Sequence, residues 1–320
     1  MNSALVCAVA ALALTGCSEE PGATGGGTQA GLRLAVIPKG TTHVFWKAVE
    51  DGAQRAAREL GVEVLWKGPL QENDRAQQIQ LVQQFVAQGV DGIALAPLDH
   101  AALAAPVRAA LAAGIPTVIF DSNLDGVPGT DFASFVATDN AQGGRIAGQQ
   151  LVELLGGRGT VVVLRYQVGS ASTEAREAGF LEVARACGLE ISVDNRYAGA
   201  TAGEAKTTAL NLLDKLQAAQ GVFCSNESAT NGMLLALRQM GLAGKLRFVG
   251  FDASPPLVDA LRNGDIDALV VQNPRKMGHA AVSTLVRRIR GEQVEPVIDT
   301  GVVLVTRDNM NDAAIAELLR

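Results

Sequence analysis

Gly92-Ile93-Ala94-Leu95-Ala96, an alanine- and leucine-rich run over 101–113, Gly114, and then Thr117-Val118-Ile119-Phe120 decide the fold class. The two short apolar runs read as strands buried on both faces. The segment between them is long enough for three turns of helix, stopped by a glycine C-cap. A strand, a helix and a second strand joined this way form a right-handed βαβ unit, which pairs the strands in parallel. The same beat precedes it, with a strand at Leu32-Arg33-Leu34-Ala35-Val36-Ile37 and helical spacing over 43–60 (Phe45, Val49, Ala53, Ala56, Ala57, Leu60) closed by Gly61. A strand over 62–66 and a helix over 74–88, closed by Gly89, complete the lead-in. Downstream, strands are expected over 132–137, 160–164, 222–224, 247–251 and 269–271, and helices over 140–155, 172–187, 202–218, 227–240, 256–262 and 274–290. About ten parallel strands exceed a comfortable single sheet, so the expectation is an α/β chain of two doubly wound lobes.

Composition agrees. A chain of 320 residues is long enough for two domains and a sizeable core. With 48% hydrophobic and 19% charged residues it is not a disordered chain. A net charge of −6 argues against a large nucleic-acid footprint, which needs a basic face.

The N-terminus stands apart from this alternation. Residues 1–16 read as a secretory signal, because the apolar run is too short to span a bilayer and ends in small residues. Leu14-Thr15-Gly16-Cys17 resembles the bacterial lipobox, which implies lipidation of Cys17 and a membrane anchor. Residues 17–31, polar and glycine-rich, would then be a flexible tether. The alternative is an ordinary cleaved signal with an incidental Cys17; either reading places the protein outside the cytoplasm. Cys187 and Cys224 could pair there or be two small buried hydrophobes.

In open parallel sheets ligands bind beyond the carboxyl ends of the strands. Those ends carry Asp121, Tyr166 with Gln167, Asn226, Asp252 and Gln272, groups that can each make two hydrogen bonds to vicinal hydroxyls. Taken singly, Asp121, Asn226 and Asp252 are as consistent with helix caps or Asx-turns. As a set at the strand ends of two sheets they point to a site.

The pattern over 32 to about 307 resembles the type I periplasmic binding proteins of the ribose- and galactose-binding kind, relatives of the ligand-binding cores of lactose-repressor-like regulators. The matching segments are Phe45-Trp46-Lys47-Ala48-Val49-Glu50-Asp51-Gly52-Ala53, Gln88-Gly89-Val90-Asp91-Gly92-Ile93 and Ala113-Gly114-Ile115-Pro116-Thr117-Val118. Ala137-Thr138-Asp139-Asn140, Gly143-Gly144, Val249-Gly250-Phe251-Asp252 and Gln272-Asn273-Pro274 extend the match. The resemblance implies two Rossmann-like lobes joined by a three-segment hinge near Thr138, Gln272–Asn273 and Thr300–Gly301, with lobe one over 32–138 plus 273–300 and lobe two over 139–272 plus 301–320. It also implies closure on a sugar or similar small polyhydroxylated ligand and delivery to the permease subunits of an ABC importer. Its implied ligand residues are Lys39, His43, Phe45, Trp46 and Asp121 on lobe one and Gln167, Arg176, Asn226, Asp252 and Gln272 on lobe two. Ser122, Ala96 and Ala200 depart from the residues ribose binders carry, which leaves an aldopentose, an aldohexose, a cyclitol or a nucleoside open.

Each residue also has a plainer reading. Trp46 could be core packing of the first helix, Arg176 a surface partner of Glu174 or Glu177, and Lys39 a solvated loop charge. No G-x-G-x-x-G follows the first strand, no P-loop lysine or G-x-S-x-G elbow is present, and His43, His100 and His279 have no close His or Cys partner. The expectation is therefore a monomeric binding protein without cofactor, metal, nucleic-acid partner or catalytic activity. A sensory binding protein for a chemoreceptor or sensor kinase would differ only in its partner.

Overall fold

Alternate side chains of each strand enter different cores, and this builds both lobes. In a computed structural model of the protein, which describes Met1 and residues 31–319, Leu34 and Val36 of β1 (Arg33–Ile37) join one buried cluster while Ala35 and Ile37 join another on the opposite face. The first lobe continues through α1 (Val44–Leu60), β2 (Glu63–Trp66), α2 (Arg75–Ala87), β3 (Gly92–Leu95), α3 (Ala104–Ala112), β4 (Thr117–Phe120) and β5 (Ser134–Ala137). The second lobe comprises α4 (Asn140–Leu155), β6 (Thr160–Arg165), α5 (Ala171–Ala186), β7 (Glu190–Tyr197), α6 (Ala202–Leu210) and α7 (Leu213–Ala218). It continues with β8 (Gly221–Cys224), α8 (Glu227–Gln239), β9 (Arg247–Phe251), α9 (Pro255–Asn263) and β10 (Ala268–Gln272). The chain then returns through α10 (Pro274–Ile289) and β11 (Val297–Asp299) and ends in β12 (Val302–Thr306) and α11 (Ala313–Leu318). In β6 the same division recurs, Val162 and Leu164 facing one cluster and Val161 and Val163 the other. Burial on both faces is why these strands lack polar alternation.

Each sheet has six strands, in the orders β2-β1-β3-β4-β5-β11 and β7-β6-β8-β9-β10-β12. The strand order reverses between β1 and β3 and again between β6 and β8, so each lobe has a topological switch point where loops diverge and leave a crevice. Three segments run between the sheets, after Ala137, after Gln272 and after Asp299. They lie side by side: Thr300 N donates to Ala137 O, Thr138 Oγ1 reaches Gly301 O at 3.3 Å, and Lys276 Nζ reaches Thr300 O at 3.3 Å.

The lobes share a packing device. In α1 and α10, a Cβ on Gly52 would sit 2.0 Å from Arg275 O, and one on Gly278 2.0 Å from Val49 O. In α4 and α5 the equivalents are Gly144 against Arg176 O at 2.0 Å and Gly179 against Ala141 O at 2.2 Å. Paired glycines let two helix backbones touch on one face of each sheet, and the second pair fixes the height of Arg176.

Four expectations need correction. The sheets are not wholly parallel, because β12 pairs antiparallel with β10. The polar strand β7 and the short β11 escaped sequence reading, since edge strands need not be continuously apolar; β12 was also unassigned, although Val302–Val305 is an apolar run. The single helix expected over 202–218 is two, parted at Asn211 and Leu212. Cys187 is exposed and Cys224 buried, and both are free thiols. The expected signal peptide, Cys17 and the tether to 30 lie outside the described residues.

Candidate functional site

The strand ends of both sheets converge on one small buried cavity. Lobe one supplies Lys39 after β1, His43, Phe45 and Trp46 at the start of α1, Glu72 from the loop after β2, and Asp121 after β4. Lobe two supplies Tyr166 after β6, Ser172, Thr173 and Arg176 from α5, Asn226 and Glu227 at the start of α8, Asp252 after β9, and Gln272 closing β10.

Asp121 and Asp252 are the only non-glycine residues with positive φ among those described, at 61° and 69°. They occupy equivalent positions, each directly after the fourth strand of its lobe. The left-handed conformation turns the chain sharply at the sheet edge and aims the carboxylate into the crevice; Asp tolerates it better than most residues.

Lys39, only 3% exposed, is an interior cation rather than a solvated loop charge. Its Nζ lies 3.1 Å from Asp121 Oδ2 and donates across the cleft to Ser172 Oγ at 2.9 Å. Arg176 is also interior and has no part in the Glu177 ion pair, which belongs to Arg165. Its Nε donates to Asn140 Oδ1 at 2.8 Å and its Nη1 to Ser225 O at 3.0 Å, while Phe251 lies 4.5 Å beneath the guanidinium. Asn226 fills both of its readings: Oδ1 caps α8 through Ala229 N, and the side chain lines the cavity. Asp252 accepts from Glu227 N and from Gln272 Nε2, each at 2.8 Å. Gln272 Oε1, in contrast, is buried and accepts no hydrogen bond from the described residues.

Glu72 organises the aromatic end. Its carboxylate accepts from Trp46 Nε1 and Tyr166 OH, both at 2.7 Å, and pairs with His43 Nδ1 at 2.6 Å. Burial works against charge on both partners, yet the direct bond and mutual attraction prevail, holding Glu72 down at about 2 and raising His43 to about 9. At neutral pH the pair is therefore a carboxylate and an imidazolium. Trp46 belongs to the core of its lobe and also lines the cavity, edge-on to Phe45 at 5.0 Å and to Phe120 at 6.3 Å. On the other side, burial and then the charge of Asp252 push the Glu227 carboxyl up, and burial pushes up Asp252 against the pull of Arg176.

The protein resembles known molecules along nearly all its length. Residues 34–293 match the family model described as the periplasmic binding protein domain. The chain belongs to the periplasmic binding protein family. It is 29% identical to the D-ribose/D-allose-binding protein of Pseudomonas aeruginosa, with 93% of this chain and 97% of that one covered. A carbohydrate transporter solute-binding protein from Agrobacterium radiobacter, solved with D-arabinose, is 33% identical with a TM-score of 0.87, covering 92% of this chain and 100% of that one. The periplasmic component of an ABC-type sugar transport system from Hahella chejuensis is 36% identical with a TM-score of 0.81, over 85% and 99%. These relatives are binding proteins, and this chain is a binding protein rather than an enzyme.

Of the ten ligand residues expected from sequence, this periplasmic binding protein brings nine to the cavity. Gln167 is the exception. Strand β6 runs one residue further than expected, to Arg165, so Tyr166 takes the place at the cavity and the Gln167 amide nitrogen is buried without a partner among the described residues. Tyr197, exposed at the end of β7, packs under Arg165. Glu72 and Glu227 were missed. Glu227 directly follows the cap residue Asn226 and was legible as its neighbour; Glu72 sits six positions past the end of β2, where no periodicity marks it. No helix among the described residues is long and apolar enough to cross a membrane.

Proposed function

We propose that this periplasmic binding protein captures a single sugar, or a similarly small polyhydroxylated solute, between its lobes and presents it to the permease of an ABC importer. The observation that carries the reading is the convergence of buried hydrogen-bonding side chains from two sheets on one cavity, with Gln272 Oε1 left unfilled. Burying such groups is costly unless a partner completes them, and hydroxyls both donate and accept. The cavity is small and walled by side chains of both lobes, which suits one ring rather than an oligosaccharide. Trp46 and Phe45 offer apolar edges to the C–H face of such a ring.

Closure is part of the proposal. Lys39 to Ser172, Tyr166 to Glu72 and Phe45 N to Glu227 are bonds between lobes, and they form only when the cleft is shut. The three adjacent crossings are the natural hinge, and a ligand touching both lobes biases it. A thermal-shift screen over aldopentoses, aldohexoses, cyclitols and nucleosides tests the reading. A ligand at a hundred times its Kd adds about 2.7 kcal/mol of stability, and solution scattering should show a smaller radius of gyration with it. Absence of any stabilising polyol, or an unchanged radius on binding, would refute the proposal.

Lipidation of Cys17 would hold the protein at a membrane facing the periplasm or the cell exterior, with residues to 31 as the tether. Cys17→Ser is then expected to move the protein from the membrane fraction to the soluble fraction. A wild-type chain already found in the soluble fraction would contradict the anchor.

A further inference from the structure

The cavity's charges do not balance. Four carboxylates line it (Glu72, Asp121, Glu227 and Asp252) against three cations, Lys39, Arg176 and the imidazolium of His43. Two of the cations are already matched: Lys39 with Asp121 at 3.1 Å and His43 with Glu72 at 2.6 Å. That leaves Arg176 beside Asp252, with its Nε and Nη1 spent on Asn140 and Ser225, while the cation nearest Glu227 is the His43 imidazolium already paired with Glu72. Lys47, Asp51 and Arg275 line the outer groove beside Phe45 rather than the cavity.

The hydrogen-bond inventory at this end has the same sign. Glu227, 8% exposed, accepts from Phe45 N at 3.1 Å on Oε2. Gln272 is 2% exposed, and its Nε2 is committed to Asp252, so what it turns to the cavity is the unpartnered acceptor Oε1. Asp252 adds two carboxylate oxygens, which already accept from Glu227 N and Gln272 Nε2 and each keep further acceptor capacity. A neutral hydroxyl brings one donor to such a corner and an acceptor that nothing there needs. An ammonium group brings three donors, no acceptor and the missing positive charge. A carboxylate on the ligand would add repulsion to a corner already in excess of negative charge.

We infer that the Glu227–Asp252–Gln272 corner binds a protonated amine, so that the preferred ligand class is an amino-substituted sugar or cyclitol rather than a neutral or acidic one. This rests on the reading of the cavity as a sugar site. The mutual repulsion of Glu227 and Asp252 in a buried setting, which favours an added proton, is relieved equally by an ammonium ion between them.

The test is calorimetric titration of the full chain at neutral pH with three matched sets: glucose, galactose and mannose; their 2-amino-2-deoxy and 6-amino-6-deoxy derivatives; and glucuronate and galacturonate. The expected result is that at least one amino sugar binds about ten- to a hundredfold more tightly than its neutral parent, and that neither uronate binds. Glu227→Gln keeps the shape and an acceptor but removes the charge; it should erase the affinity ratio between an amino derivative and its neutral parent, which is read within the variant itself. A neutral parent that binds as tightly as its amino derivatives, or an amino preference that survives in E227Q, would overturn the inference and leave the sugar reading standing. If no member of the three sets binds and the wider polyol screen is also silent, the sugar reading fails and the inference falls with it.

Discussion

Replacing Asp252 or Arg176 with alanine is expected to abolish ligand binding while the chain still folds. Both are buried ionic groups whose remaining hydrogen-bond capacity faces the cavity, and truncating one partner of a buried charged contact costs about 2–5 kcal/mol, a loss of roughly thirtyfold to several thousandfold in affinity. Two structural costs must be separated from that effect. Asp252 has φ 69°, where alanine is strained, and its Oδ2 satisfies Glu227 N. Asp252→Asn avoids most of this, since Asn tolerates the left-handed region and keeps an acceptor, so it isolates the loss of charge. Arg176→Lys keeps a cation but loses the planar fork that holds Asn140 and Ser225 O and stacks on Phe251. Calorimetry on the four variants, with circular dichroism to confirm folding, is the measurement. Undiminished affinity in both alanine variants, folded as wild type, would remove these residues from the site.

The reach of the sequence reading follows from what each signal depends on. Strands buried on both faces, such as β1, β4 and β6, announce themselves because their central positions are all apolar. The edge strands β7 and β11 are only partly buried, and solvent permits Glu190, Asp194 and Asn195 in the first and Asp299 in the second, so composition hides them. Site residues behave alike. Asp121, Asn226, Asp252 and Gln272 were legible because a polar residue closing an apolar run is abrupt, and the sheet geometry then brings such ends together. Tyr166 against Gln167 turned on one residue of strand length, a distance that hydrophobic pattern does not fix. Glu72 could not be found that way, because its role arises from three donors, two on its own lobe and one across the cleft, and no local pattern encodes them.

Gly143-Gly144 shows a motif whose reason appears only in three dimensions, and it yields the second large effect. Gly144→Val is expected to destabilise the second lobe and to weaken binding together. The new Cβ would lie 2.0 Å from the carbonyl oxygen of Arg176 and 2.9 Å from its Cα, both backbone atoms of α5, so no side chain can swing aside to make room. Gly179, whose own Cβ would meet Ala141 O at 2.2 Å, closes the same contact from the other helix, so α5 cannot slide past but must lift away from α4. Overpacking of this kind costs about 1–3 kcal/mol and is more severe when the obstacle is backbone. Because Arg176 rides on the lifted segment, its guanidinium leaves Asn140 and Ser225 as stability falls. An exposed glycine supplies the control: at Gly203 in α6 an added Cβ meets nothing nearer than Thr201 Oγ1 at 3.8 Å, so Gly203→Ala should hold or raise stability by up to about 1 kcal/mol through helix propensity, with affinity unchanged. Thermal unfolding and calorimetry read both outcomes. A Gly144→Val protein that melts with wild type and binds as tightly would mean that α4 and α5 do not set the position of Arg176, and the coupling of helix packing to the site would have to be abandoned.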